Sequence, residues 1–332
     1  MNGVFFIVGP TATGKSEIAA GLARELDAEI VSADAFQIYR GLDLLTAKPD
    51  AATLARVSHH LVGTMSILEE MNAEKFRKAA LQAISEIHSR GKLAIVVGGS
   101  GLYVKALTHG LSSPPSADPD LRAQLNEMSL GDLQKKLRSL DPQAAGKIDL
   151  KNRRRVVRAI EICLLSGAPA SALRKECNEQ GVAAAVSGGS LPMRTSAATT
   201  HGVFVFRERE DLYERINRRV KAMFENGVIE EVRAAGAMSE TASKMIGLRE
   251  IRELLDGKMS ILSGRRGDTD SSRGEQCVAA IQQATRRYAK RQLTWFRRQT
   301  NFQPLNLSLL SHNEAVKWIS QRARLARAPG ND

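Results

Sequence analysis

The 332-residue chain carries 48 Lys and Arg against 36 Asp and Glu, a formal net charge of +12, with 43% hydrophobic and 25% charged residues. This composition supports a substantial packed core and excludes a disordered chain, and because its longest apolar runs are strand-sized it excludes a helical membrane span. The three cysteines, Cys163, Cys177 and Cys277, lack metal-ligand spacing and are expected as reduced thiols of a cytoplasmic protein.

The first element is the apolar run Val4, Phe5, Phe6, Ile7, Val8, expected to be a strand that leads directly into GPTATGKS, Gly9 to Ser16, rather than a signal peptide. Glycine, four residues, glycine, lysine, serine is the spacing of a phosphate-binding P-loop. Gly9 and Gly14 let the backbone turn close to an anion, so that successive amides and the positive end of the next helix face phosphate oxygens. Lys15 adds a point charge, and the Ser16 hydroxyl is placed to ligate Mg2+. The motif predicts a polyphosphate binder without saying which polyphosphate.

A helix follows over Glu17 to Leu26, then a short buried strand at Ile30 and Val31 that ends in Ser32, Ala33 and Asp34. The polar stretch AFQIYRGLDLLTAKPD comes next, in which Pro49 rules out a simple helix. Glu74 to Ser89 is an amphipathic helix stopped by Gly91, and Leu93 to Val97 is a third strand that runs into GGSGLY, Gly98 to Tyr103. Alternating helices and near-continuous apolar strands predict an α/β fold with a parallel sheet. Ligands bind beyond the carboxyl ends of such strands, so the P-loop, Asp34 and the Gly98 to Gly101 turn are expected in one cleft.

From Ser112 the pattern becomes helical. SSPPSADPD reads as a linker in which Asp118 and Pro119 are an N-cap and a first helical residue. Helices are expected around Leu121 to Leu125, Leu130 to Leu140 and Asn152 to Leu165, then a Gly-, Ser- and Ala-rich loop from Gly181 to Thr200. His201 to Phe206 returns to strand, and Pro304 to Leu307 is a last short one. The boundaries that result are a P-loop core over 1–112 and 200–312, a helical insertion over 113–199 and a tail over 313–332.

The positive charge is concentrated. On a helical wheel of about 100° per residue, Arg286, Arg287, Lys290, Arg291, Arg297 and Arg298 fall within an arc of roughly 140°, opposite Val278, Ile281, Tyr288, Trp295 and Phe296. A solvated charged face would mix in acids, and after Glu275 this segment has none. With a second cluster at Lys151, Arg153, Arg154, Arg155 and Arg158, the pattern fits an extended nucleic acid better than a small acidic metabolite.

Together these features resemble the tRNA dimethylallyltransferases, also called tRNA isopentenyltransferases, of the bacterial type. The matching stretches are GPTATGKS, SADAFQIYRGLDLLTAKPD, HHL at His59 to Leu61, VGGSGLY, ADPDLR, RRVVRAIE, LYERINRRV, IGLRE and TRRYAKRQLTWFR, in the family's order and reaching Thr300. The resemblance implies a P-loop NTPase-like core with an inserted all-helical domain that clasps the tRNA anticodon stem-loop. It implies transfer of a dimethylallyl group from dimethylallyl diphosphate to the exocyclic amine of the adenosine 3′ of the anticodon, by a monomer. By motif position, Thr11, Ala12, Thr13, Gly14, Lys15 and Ser16 would hold the diphosphate, and Asp34, Ala35, Phe36 and Gln37 would meet the target nucleotide with Ser100 and Arg122 close by. Arg154, Arg155, Arg158, Lys244, Gly247, Arg249, Lys290, Arg291 and Arg297 would carry further tRNA contacts. The chain departs from the family at Ala35, usually serine, at Ser100, usually threonine, at Leu248, usually tyrosine, and at Leu44 and Leu45, usually isoleucine and glycine.

The chemistry assigns roles to three of these residues. An adenine amine must shed a proton as it attacks, which calls for a carboxylate base, and Asp34 is the candidate beside Ser100; the alternatives for Asp34 are a helix cap and a group that bonds the water around a magnesium ion. Lys15 faces the charge that develops on the leaving diphosphate. An ATP-dependent small-molecule kinase would also explain Gly9 to Ser16, but would leave the basic helix unexplained, and a guanine-reading motif for a GTPase-like switch is missing.

Overall fold

The apolar N-terminal run is β1 (Val4–Val8), whose last four residues are at most 2% exposed. A strand with no solvent face must be covered on both sides, and the chain supplies that cover by crossing over after each strand. In the computed structural model residues 3–110, 115, 118–173, 201–258, 270–299 and 301–327 are described; the expected loop at Gly181 to Thr200 lies outside them. After β1 come α1 (Lys15–Glu25), β2 (Ala28–Ser32), α2 (Ala51–Arg56), β3 (His59–His60), α3 (Ala73–Ser89), β4 (Leu93–Gly98) and α4 (Gly101–Thr108). The chain is divided into two compact units, residues 1–107 with 198–332, and residues 108–197.

The second unit, described by itself, is helical: α5 (Pro119–Glu127), α6 (Leu130–Leu140), α7 (Pro142–Lys147), α8 (Arg153–Ser166) and α9 (Ala170–Leu173). Its helices start where the sequence offers caps. Asp118 accepts from the amides of Asp120 and Leu121 with Pro119 in the first turn, and Asn152 caps α8. Leu125, Leu133, Leu137, Val156 and Ile160 form its core.

The first unit resumes with β5 (Gly202–Phe206), α10 (Arg209–Glu225), α11 (Val228–Ala234), α12 (Leu248–Leu255), the long α13 (Asp270–Phe296), β6 (Gln303–Asn306) and α14 (His312–Arg327). The sheet order is β3-β2-β4-β1-β5-β6 and every pairing is parallel. One face is covered by α1 and α14, where Ile18 and Leu22 pack with Ala315, Ile319 and Ala323 over the strands. Of the expected tail, the described residues up to Arg327 thus belong to a helix packed on the core; its Ala and Ile spacing is the sequence sign of that. On α3, Phe76 stacks on Tyr103 at 4.1 Å, and on α13 Phe296 stacks on Phe204 at 5.7 Å.

Glu29 is the one strand residue in β2 with a charge, and it is 4% exposed. Its carboxylate meets Arg90 at 2.7 Å, His60 at 2.8 Å and Lys92 at 3.5 Å. Burial works against the charge, yet the hydrogen bonds from Arg90 and His60 outweigh it and hold the carboxyl at about 2. The HHL stretch therefore has a structural task at the sheet edge. Among the described residues no helix is long and apolar enough to cross a membrane.

Candidate active site

β1 is flanked by β4 and β5, so the loops leaving the carboxyl ends of β1, β2 and β4 open into common space. That space is a cleft of about 630 Å3. Thr11, Ala12, Gly14, Lys15 and Ser16 line it together with Asp34, Gln37, Gly98, Gly99 and Gln292, so three strand ends converge there. Gly9 and Thr13 are buried behind it.

The loop from Gly9 to Ser16 is held in a shape that frees its amides. Gly9 has φ 155°, and a Cβ there would lie 2.1 Å from Val205 O, so only glycine permits this approach to β5. Ala12 sits at φ 64° and Gly14 at φ 94°, a left-handed pair that bends the backbone into a concavity. Two arginines then fix the peptide planes: Arg215 Nε donates to Ala12 O at 3.0 Å and Arg207 Nε to Thr13 O at 2.9 Å. In a planar trans peptide the next N–H points opposite to the carbonyl, so these bonds turn the amides of Thr13 and Gly14 away from the two Nε atoms. Among the described residues the amides from Ala12 to Ser16 donate no hydrogen bond. A row of unpaired amides at a helix N-terminus is an anion cradle. Thr11 is an exception, because its amide is taken by Gln292 Oε1 at 2.9 Å.

Lys15 folds back to donate to Pro10 O. Burial, which outweighs the opposing charge of Asp34 and is reinforced by Arg219, lowers its pKa to about 7. Arg215, Arg218 and Arg219 of α10 line the same cleft, at the i, i+3, i+4 spacing that puts them on one helix face. Arg219 Nε is buried without a hydrogen-bond partner, and burial pushes its guanidinium down while Asp34 pulls it back up. An orphaned donor of this kind marks the place of a missing acceptor. The LYERINRRV stretch carries these arginines, whose role its sequence alone does not disclose.

Asp34 Oδ1 accepts from the amides of Phe36 at 2.9 Å and Gln37 at 3.3 Å, which caps the loop after β2. Its Oδ2 accepts no hydrogen bond among the described residues. Ala35 N donates to Ser100 Oγ at 3.0 Å, so the Ser100 hydroxyl ties the turn after β4 to the turn after β2. Gln37 spends its side-chain amide inside the loop, donating to Ala47 O at 2.9 Å and accepting from Ser32 Oγ at 3.3 Å. Beside Asp34 is a cavity of about 50 Å3 with apolar walls from Phe36, Leu45, Val220, Met223, Met245 and Ile281. Tyr288 lines it as well. Burial first, then the charge of Asp34, pushes that phenol up, against the opposing effect of Ser100 and Gln292, so it is protonated at neutral pH. Tyr288, expected on the core side of this helix, faces the site, and so does Gln292 one turn later, a residue that sequence reasoning did not single out.

The expected RNA-contacting residues divide by occupation. Arg287, Lys290 and Arg291 are exposed on α13 and Arg297 and Arg298 in the turn after it, whereas Arg286 is held by Asn217 Oδ1 at 2.6 Å. Lys244 pairs with Glu240 and Arg249 with Glu250, and Gly247 is the buried N-cap of α12. In the helical unit Arg154 and Arg155 are exposed, while Arg122 and Arg158 both bind the buried Glu161, at 2.6 and 2.8 Å. Burial opposes the Glu161 charge, but the two arginines hold its carboxyl below the usual range.

Comparison with known proteins places these features in context. A family model described as IPP transferase matches residues 37–299. The chain is 41% identical over 297 residues to the tRNA dimethylallyltransferase 1 of Citrifermentans bemidjiense, covering 88% of each chain. It is 40% identical over 294 residues to the tRNA dimethylallyltransferase of Akkermansia muciniphila, covering 89% of this chain and 90% of that one. Its fold is similar to the crystal structure of the full-length tRNA isopentenylpyrophosphate transferase of Bacillus halodurans, with a TM-score of 0.64 and 32% identity over 98% of each chain.

Proposed function

Because the chain belongs to the IPP transferase family, whose curated relatives are tRNA-modifying transferases, we propose that the cleft takes dimethylallyl diphosphate and a tRNA adenosine in the anticodon loop. The carrying observation is the row of amides from Ala12 to Ser16, unpaired among the described residues, beside the unpartnered Arg219 Nε: a donor set that suits a diphosphate. The N6 lone pair of the adenosine attacks the allylic carbon, the carbon–oxygen bond breaks with its electrons passing to diphosphate, and the N6 proton goes to Oδ2 of Asp34. Lys15, Arg219 and the cradle amides oppose the charge that grows on the leaving oxygens. The Ser100 hydroxyl keeps the base turn in place, and the neutral Tyr288 phenol lines the cavity beside it with Met223 and Ile281.

Mg2+ fits the residues present. The Ser16 hydroxyl lines the cleft and makes no hydrogen bond among the described residues, and no group of three or more His, Cys, Asp or Glu there could hold a metal alone. An ion with one protein hydroxyl, diphosphate oxygens and water is the pattern of phosphate-bound magnesium, and it would supply further charge neutralisation to the leaving group. A kinase reading of the same loop gives no task to the exposed cations of α13.

The exposed arginines and lysine of α13 bind the tRNA phosphates in this proposal, and the chain acts as a monomer. Arg287→Gln and Lys290→Gln, at side chains that make no ion pair among the described residues, are expected to weaken tRNA binding and to flatten the slope of log affinity against log salt by about one unit for each phosphate no longer neutralised. An unchanged slope in filter binding assigns those side chains elsewhere. The function itself is tested by incubating the protein with unmodified tRNA and dimethylallyl diphosphate without ATP, then measuring nucleoside masses. A prenylated adenosine is expected, and no mass gain in the absence of ATP, with phosphorylation of a small molecule in its presence, returns the kinase reading.

A further inference from the structure

The two halves of the proposed reaction belong to different turns. Leaving-group stabilisation comes from the loop after β1, and the base is held by the turns after β2 and β4, with Ser100 tying Asp34's neighbour to the latter. Nothing in the local sequence of either turn sets the distance between them. Displacement at carbon needs the attacking nitrogen, the carbon and the leaving oxygen close to one line, and a shift of about 1 Å costs on the order of a hundredfold.

Backbone pairing ties the two segments as far as Gly9 N, which donates to Gly98 O at 3.2 Å, and beyond that bond one side chain bridges them. Gln292 of α13 is 6% exposed, accepts from Thr11 N at 2.9 Å and donates to Gly99 O at 2.9 Å. Its amide oxygen and its amide nitrogen each bond one backbone, and those backbones belong to the two halves of the site. A Cβ on Gly99 would lie 2.3 Å from Gln292 Nε2 and 2.9 Å from Gly9 O, so the bridge is seated against the turn with no room to spare. Thr11 N is the one amide of the Thr11 to Ser16 stretch that the bridge withdraws from the anion cradle. Its cost to diphosphate binding is one donor, and what it contributes is a fixed register.

We propose that Gln292 is a positioning residue for prenyl transfer, which sets the alignment between the diphosphate loop and the turn that carries the base. This rests on the reading of the cleft given under Proposed function. Because the same helix carries the exposed cations of the tRNA face, the register between the two halves is set from the element that receives the RNA. Gln292 itself touches neither substrate in this scheme.

The test uses the full chain with tRNA and dimethylallyl diphosphate in single-turnover and steady-state assays. Gln292→Met keeps the length and helix propensity of the side chain and removes both hydrogen bonds. Its single-turnover rate at saturating substrates is expected to fall roughly a hundredfold, with KM for either substrate within about threefold. Gly99→Ala strikes the same bridge from the other side and is expected to give a similar loss. In the double variant the two losses should not add, because the second change breaks what is already broken. A Gln292→Met rate within about threefold of wild type overturns the proposal, as does a raised KM with an unchanged rate or fully additive losses. Should Gln292→Met melt below the assay temperature, Gly99→Ala decides alone by the same split. A wild-type protein that transfers nothing overturns the cleft reading instead, so the two failures are told apart.

Discussion

Asp34→Asn lowers the single-turnover rate of prenyl transfer by roughly a hundredfold to ten-thousandfold, while affinities for tRNA and diphosphate stay within a few-fold. The expectation follows from the division of labour between the two carboxylate oxygens. Oδ1 caps the loop by accepting from Phe36 N and Gln37 N, and the carbonyl oxygen of asparagine can accept the same two bonds. Oδ2, which has no partner among the described residues, becomes an NH2 group that cannot take a proton. The loop survives and the base is lost. A rate near wild type leaves Asp34 as the cap alone, and weakened tRNA binding with an intact chemical step makes it an RNA-positioning group.

Lys15→Ala is expected to lower transfer by about a hundredfold to a thousandfold, the loss typical of one oxyanion donor. The loop does not depend on this side chain for its shape. Pro10 O keeps the Thr13 hydroxyl at 2.9 Å, and Arg215, Arg207 and Gln292 continue to hold Ala12, Thr13 and Thr11. What disappears is a buried amine that lines the cleft, its pKa lowered to about 7 by burial, for which a diphosphate is the natural counter-charge. A turnover number unaltered at saturating diphosphate removes Lys15 from leaving-group stabilisation.

The parts of this site that sequence reveals are those whose geometry is local. Gly9 to Ser16 carry their own turn, and Asp118 with Pro119 carry their own helix start, so short-range spacing is enough. Arg215, Arg218 and Arg219 are hidden because α10 also carries Glu210, Asp211 and Glu214, and such a mixture reads as a solvated face. Their task becomes visible only when β5 is paired with β1, which brings residues about two hundred positions apart together. Tyr288 and Gln292 are hidden for the opposite reason: a helical wheel assigns their side to the interior without telling a packed core from a buried site. Charge is legible on α13 and α8, but its use is not. Arg286 goes to Asn217, a partner distant in the chain, and Arg158 goes to Glu161 on its own helix, which also takes Arg122 of α5.

The inner side of α13 presses on the turn after β4 at two points. A Cβ on Gly101 would meet the Trp295 ring at 2.5 to 2.7 Å, just as one on Gly99 would meet Gln292. Positions 99 and 101 therefore cannot drift independently of positions 292 and 295. A lineage that acquires a side chain in the turn must first have shortened one on the helix, and the intermediate with the shortened residue lacks either the bridge to Thr11 or the aromatic cover of the turn. The four positions form an evolutionary lock between segments encoded almost two hundred codons apart, and recombination between diverged copies of such a gene would be tolerated only where the crossover keeps both ends from the same parent.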